Sequence, residues 1–181
     1  MDTSPWSKLK SEIYALIGRN PKSNRVISSV VDLDPGHVVL DIGCGPGAAV
    51  RTVAGSVARA VGVDRSGPMI EIARRRSQDL PNVEFVVGAA EELPFPDGDF
   101  DRVWTIHSFH HWEDPARGIA EVLRVLRPGG RFLVIESESR GSHGLDRRRA
   151  DELAERLRSA GFTDASVSKP ARQLVVAASA P

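Results

Sequence analysis

The chain alternates short runs of consecutive apolar residues with longer segments that are apolar at every third or fourth position. "HVVLDI" (37–42), "RAVGVD" (59–64), "VEFVV" (83–87), "RVWTI" (102–106) and "RFLVIE" (131–136) are the runs. Strands apolar on both faces belong in a parallel sheet covered by helices on each side. The segments between them predict helices near 47–57, 67–78 and 115–126. The third is clearest: Ile119, Val122, Leu123 and Leu126 fall at helical spacing, and "RPGG" (127–130) ends it. Two helices are expected before the first strand. One carries Trp6, Leu9, Ile13 and Leu16, and the next starts at Asn20 as N-cap with Pro21 behind it. After the fifth strand come "SESRGSHGLD" (137–146), a helix with Leu153 and Leu157, and strands near 163–168 and 173–178 joined by the short "KPAR". The last two are expected as an antiparallel pair at one end of the sheet. The fold class is α/β: a doubly wound sheet of five parallel strands plus a C-terminal antiparallel pair, with helices on both faces. Residues 1–36 read as N-terminal helices covering a site and 37–181 as the binding domain, effectively one domain.

Composition narrows the class without naming a function. At 181 residues the chain is long enough to bury about 70% of its unfolded surface. Lys+Arg and Asp+Glu are both 24, so the net charge is zero, which counts against nucleic acid as a partner. Cys44 is the one cysteine, which rules out an intrachain disulfide or a cysteine-based zinc site. The opening "MDTSPWSKLK" lacks the apolar core of a signal peptide, and no apolar run approaches a membrane span. A cytoplasmic setting is the expectation, with a homodimer as an open possibility.

Chemistry concentrates at "DIGCGPG", where the first strand ends. Open α/β sheets bind ligands beyond their C-terminal strand ends. Glycines there permit positive φ and close approach of backbone to a ligand, and the following helix offers unpaired N–H groups. The second strand ends in Asp64, 21 positions after Gly43. That is close to the ~20 expected for a carboxylate accepting from two vicinal ribose hydroxyls. The alternative makes Asp64 a helix N-cap, a task Ser66 can perform. Gly43, Gly45 and Gly47 give G-x-G-x-G rather than the dinucleotide spacing G-x-G-x-x-G. Pro46 removes an N–H from the loop. A nucleoside without phosphates therefore fits better than a pyrophosphate.

"VVLDIGCGPG" followed by "GVDRSGPMIEIA" resembles the first two motifs of class I S-adenosylmethionine-dependent methyltransferases. The nearest likeness is to the small-molecule group containing the ubiquinone/menaquinone-biosynthesis C-methyltransferases. "GAAEELPFPDGDFDRVWTIHSFHHWEDP" and "EVLRVLRPGGRFLVIE" resemble that group's later blocks, so the likeness runs from Val38 to Glu136 in order. It implies a Rossmann-like methyltransferase sheet that binds S-adenosylmethionine and releases S-adenosylhomocysteine. By position, Gly43, Gly45 and Gly47 would shape the loop around the methionine part, with Cys44 alongside and Asp41 orienting the amino group. Asp64 would hold the ribose. Arg65 and Met69 would border the adenine, the Ala90 N–H would bond a ring nitrogen, and His107 would lie near the sulfonium. The family often has Asp where this chain has Ala89, so Glu91, a water or a backbone carbonyl must serve the adenine amino group.

"HSFHHW" (107–112) invites a metal or general-base reading. No nearby Cys or ordered Asp/Glu/His spacing completes a metal site, so no metal is expected. His110 and His111 stand as candidates for proton transfer, against the plainer reading of pocket wall and helix lead-in with Trp112 packing. "DGDFD" (97–101) precedes the fourth strand and so reads as turn chemistry at the edge opposite the site. The basic runs at 73–77 and 146–150 read as solvated helix faces. Trp6 and Tyr14 would either cover the cofactor or pack an amphipathic helix. The function implied is methyl transfer to a small-molecule acceptor. An RNA or protein methyltransferase, or a non-catalytic S-adenosylmethionine-binding protein, are the alternatives.

Overall fold

A computed structural model describes residues 27, 29–139, 144–170 and 173–181. The first expected N-terminal helix, with Trp6 and Tyr14, lies outside the described residues, as do Asn20 and Pro21 at the start of the second and the last two residues of "KPAR". The described chain runs β1 (Val38–Ile42), α1 (Ala48–Val53), β2 (Arg59–Asp64), α2 (Gly67–Arg75), β3 (Val83–Val87) and β4 (Phe100–Ile106). It continues with α3 (Pro115–Val125), β5 (Leu126–Ser137), α4 (Arg147–Ser159), β6 (Thr163–Ser168) and β7 (Gln173–Ser179). One seven-stranded sheet has the order β3-β2-β1-β4-β5-β7-β6. β1 to β5 are parallel, and β7 enters antiparallel between β5 and β6. The expected fold class, including the terminal pair, is the one observed.

Period-two alternation divides the strand side chains between two apolar layers. Leu40, Ile42, Val61, Val63, Phe132 and Val134 meet Ile119 and Val122 of α3 and Leu153 and Leu157 of α4 on one face. Val39, Ala60, Trp104, Leu133 and Ile135 meet Val50 and Val53 of α1 and Ile70 and Ala73 of α2 on the other. Each aliphatic side chain fully removed from water contributes about 1.5–3 kcal/mol, so covering both faces is what holds a parallel sheet together.

The starts of α2, α3 and α4 are capped by side chains of their own sequence. Ser66 Oγ accepts from Met69 N at the start of α2. Asp114 accepts from Ala116 N and Arg117 N before Pro115 opens α3. Asp146 accepts from Arg149 N at α4. Ser66, not Asp64, is thus the α2 cap.

Several boundaries differ from expectation. The helix expected over 47–57 stops at Val53 and tightens into a 3₁₀ turn, Ala54–Ser56. Asn82 Nδ2 donates to Ala54 O and Val57 O there, satisfying carbonyls that further helix would otherwise have used. The helix expected to 78 ends at Arg75. β5 begins at Leu126, because Leu126 pairs with Phe100 and a register shift before Arg102 absorbs the intervening "RPGG".

Asp101 lies within β4 rather than in a turn. Its Oδ2 accepts from Val38 N and Arg127 Nη1, both at 2.7 Å, tying the starts of β1, β4 and β5 together. Burial pushes its carboxyl up, but Val38 N–H and Arg127 outweigh that and hold it below its usual value. It is a structural staple at the edge away from the site.

Candidate functional site

Strand order reverses between β1 and β4, and a crevice opens where the connections on either side diverge. The loop after β1 is shaped by three positive-φ glycines, Gly43 (73°), Gly45 (51°) and Gly47 (74°). Gly43 N and Cys44 N donate to Val63 O, anchoring the loop on β2. A Cβ on Gly43 would sit 1.9 Å from Ser108 Oγ, and one on Gly47 2.4 Å from the Phe85 ring. These two positions demand glycine because other side chains occupy the space. Gly45 differs: nothing lies within 4 Å of its Cβ position, so that side of the loop is open.

Beside the loop is a cavity of about 210 Å³. Of the expected site residues, Gly43, Asp64, Arg65, Ala89, Ala90 and Glu91 line it, together with His111. Ser108 and Trp112 line it as well, although sequence patterns did not single out Ser108 and marked Trp112 only as packing. Asp64 sits where the loop and β2 converge: its Oδ2 accepts from Gly45 N and its Oδ1 from Ser66 N, both at 2.8 Å. Arg65 is exposed and pairs with Glu113 at 2.5 Å. Glu91 Oε1 accepts from Glu113 N at 2.7 Å and Asp114 N at 3.2 Å, so this carboxylate is committed to the turn before α3. Ala89 offers no polar side chain.

Cys44, Gly47 and Met69 stand behind or beside this wall. Cys44 is buried against Gly62, whose Cβ would come within 2.7 Å of Sγ. Burial pushes its thiol well up, reinforced by Asp41 and Asp64, so it is a filler rather than a nucleophile. Gly47 is the N-cap of α1, and the Met69 N–H is taken by the Ser66 cap.

Asp41 is the unusual group. It lies at the end of β1, 3% exposed, and its Oδ1 has no hydrogen-bond partner. Burial and the nearby Asp64 charge push its pKa up to about 8, with the Trp104 indole pulling the other way. A buried carboxyl left short of a partner points to a missing donor.

The turn between β4 and α3 presents the histidines. His107 has φ +51°, uncommon for a residue with a side chain. Its Nδ1 accepts from Ser137 N at 3.2 Å, which directs the ring toward the end of β5. Ser108 is seated on Gly43, and Phe109–His111 form a 3₁₀ turn. Trp112 covers Gly118, whose Cβ would come within 2.5 Å of the indole, and lies 4.8 Å from the Phe109 ring. His110 Nδ1 is 3.0 Å from Oε1 of Glu136, a carboxylate 1% exposed at the end of β5. Sequence reasoning passed over Glu136. Its signal was present, since an acid closes the otherwise apolar "RFLVIE" on the ligand-binding edge of the sheet. Among the described residues no group of three or more His, Cys, Asp or Glu side chains has the arrangement of a metal site.

A family model described as "Methyltransferase domain" matches residues 40–134, which span the loop, the cavity wall and the histidine turn. The chain belongs to the methyltransferase-domain family. Its motifs are those of the class I S-adenosylmethionine-dependent members, as their resemblance implied. It is 40% identical over 102 residues to the uncharacterized methyltransferase YcgJ of Bacillus subtilis, covering 55% of this chain and 40% of that protein. The crystal structure of YcgJ superimposes with a TM-score of 0.72 at 26% identity, covering 83% of this chain and 71% of that one. Demethylmenaquinone methyltransferase of Renibacterium salmoninarum is 30% identical over 135 residues, covering 75% of this chain and 55% of that enzyme. A methyltransferase structure from Aquifex aeolicus shares the fold, with a TM-score of 0.76 at 22% identity, covering 88% and 89% of the two chains. The chain spans between about a third and about half of the curated relatives it matches, from 34% to 55%.

The residues present fit S-adenosylmethionine. The open flank of Gly45 leaves room beside the loop, Asp41 Oδ1 lacks a donor that an ammonium group would supply, and Asp64 stands on the cavity wall. Among the described residues no helix is long and apolar enough to cross a membrane.

Proposed function

We propose that the protein transfers a methyl group from S-adenosylmethionine to a small-molecule acceptor. The observation that carries this reading is the convergence of Asp64, the glycine loop and the 88–91 segment on one cavity at the sheet's switch point. The family match and the likeness to demethylmenaquinone methyltransferases support it. Bound there, S-adenosylmethionine supplies an electrophilic methyl on a sulfonium, displaced in line by a nucleophile as S-adenosylhomocysteine leaves.

The chain's own tasks are binding and alignment. Asp64 accepts from the ribose hydroxyls, Asp41 faces the amino group, and Ala90 with Arg65 and Met69 borders the adenine. The turn 107–112 closes the far side, with the Trp112 ring as an apolar wall. Holding two reactants in line and excluding water supplies up to ~7–11 kcal/mol of barrier lowering.

Calorimetry against S-adenosylmethionine, S-adenosylhomocysteine, NAD and FAD tests the reading. Binding of the first two and not the last two is expected. Absence of binding by either methyl-cycle ligand sinks it.

A further inference from the structure

Two fixed posts stand on either side of the cavity, and a pair of long side chains joins them. The first post is the end of β2. Asp64 accepts from Gly45 N and Ser66 N, so the backbone is pinned on both sides of Arg65. The second post is the turn before α3. Glu91 Oε1 accepts from Glu113 N and Asp114 N, Asp114 caps α3, and the Trp112 ring is packed over Gly118. Arg65 Nη2 donates to Glu113 Oε1 at 2.5 Å across the gap between the posts.

The sheet order puts β1 and β2 between β4 and β3. The turn leaves β4 with Ser108 seated on Gly43, and by Asp114 it is bonded to Glu91, which follows β3. It therefore crosses the C-terminal ends of β1 and β2, where Gly43 and Asp64 line the cavity. The Arg65 side chain lines the cavity and is also 62% exposed, which places it at the mouth. Glu113, 71% exposed, is outside the lining and holds Arg65 from the solvent side. The enclosed space is about 210 Å³, below the roughly 300 Å³ at which small-molecule sites begin. A nucleoside carrying an amino-acid tail is a full-sized ligand for such a site, so part of it must pass this mouth. As a stabilising contact the pair counts for little, because both side chains are in water.

Resting on the methyl-transfer reading above, we propose that the Arg65–Glu113 ion pair is a bar across the mouth of the cofactor cavity. S-adenosylmethionine enters and S-adenosylhomocysteine leaves when the pair opens. The posts stay in place while the two side chains swing between them. An exposed pair opens readily, so the closed arrangement is favoured by only about 1.5- to 5-fold. A bar that closes equally over the empty and the filled cavity slows entry and exit by one factor and leaves affinity alone. A residue that binds the cofactor behaves differently, since its loss acts mainly on exit.

Stopped-flow binding of S-adenosylhomocysteine reads the difference. That ligand has no net charge, so salt does not steer its encounter. Glu113→Gln keeps the backbone N–H that Glu91 holds and removes the charge that holds Arg65. It should raise kon and koff together by about 1.5- to 5-fold, with Kd unchanged. Salt at about 0.5 M should do the same to the unsubstituted protein and nothing further to the variant. The stronger test closes the bar covalently. Arg65→Cys/Glu113→Cys is bridged by a bis-methanethiosulfonate, whose two disulfides a reductant cleaves, while Cys44 is buried out of reach. Bridged empty, the double variant should take up no S-adenosylhomocysteine; bridged after loading, it should retain it; reduction should restore exchange in both. Unaltered rates in Glu113→Gln, a change in koff alone, or free exchange in the bridged protein overturns the inference and leaves the methyl-transfer reading standing. Absence of S-adenosylhomocysteine binding to the unsubstituted protein overturns both.

Discussion

The backbone N–H of Gly45 donates to Asp64 Oδ2 at 2.8 Å, so the glycine loop after β1 and the acid ending β2 are bonded to each other before any ligand arrives. Asp64 Oδ1 simultaneously accepts from Ser66 N. One carboxylate therefore shapes the loop, starts the turn into α2 and faces the cavity. Asp64→Ala removes all three roles at once. Hydrogen bonds to a charged group contribute about 1.5–3 kcal/mol, which corresponds to roughly 10- to 150-fold weaker S-adenosylmethionine binding by calorimetry. Asp64→Asn keeps one acceptor oxygen and should fall between. Wild-type affinity in Asp64→Ala would remove Asp64 from the site.

Gly43 and Ser108 interlock, and this gives a structural test. Alanine at position 43 meets a left-handed backbone and a contact at 1.9 Å with Ser108 Oγ. The backbone alone costs about 1–2 kcal/mol and the clash about 1–3 more. With about 2–4 °C per kcal/mol for a domain of this size, Gly43→Ala should lower Tm by roughly 4–20 °C. Adding Ser108→Gly relieves the clash but not the backbone, so the double variant should recover part of the loss. No recovery would mean that the loop and the histidine turn do not interlock.

Ala89 lines the cavity at the position where the motif resemblance implies an acid, and Glu91 is held by the Glu113 and Asp114 backbone N–H groups. An adenine amino group bound beside this segment would lack a side-chain acceptor from it. Ala89→Asp should tighten S-adenosylmethionine binding by roughly 3- to 10-fold, the yield of a hydrogen bond of about 0.5–1.5 kcal/mol. Unchanged or weaker affinity counts against the placement of adenine beside Ala89.

The sheet and the glycine loop with its acidic partner were legible because each leaves a local mark: unbroken apolar runs, a glycine cluster and an acid at the right distance. Helix ends were less legible. The stop at Val53 depends on Asn82, 28 positions from Ala54, and β5 starts early because Leu126 finds Phe100. The site's own wall divides similarly. Asp64 and Ala90 follow from motif position, but Ser108 matters only because it fills the space over Gly43, which no spacing rule reveals. Glu136 carries a visible sign, an acid at a strand end. Its meaning appears only when β4 and β5 bring it to His110.

Asp41 makes folding and binding depend on pH in opposite directions. Its pKa of about 8 exceeds the ordinary 3.8, so between those values the folded protein holds one proton more than the unfolded chain. Stability is then greatest below about pH 4 for this group and falls as pH rises toward 8, by at most about 1.4 kcal/mol per pH unit. Asp41→Asn, isosteric and uncharged, removes that slope and should raise Tm relative to wild type increasingly up to pH 8. Binding reverses the preference. The ammonium of S-adenosylmethionine near the carboxyl favours its ionised form, so binding near pH 7 should release close to one proton. Calorimetry in two buffers of different ionisation enthalpy measures it: wild type should show buffer-dependent heats, and Asp41→Asn should not. Buffer-independent binding by wild type would mean that Asp41 does not meet the amino group.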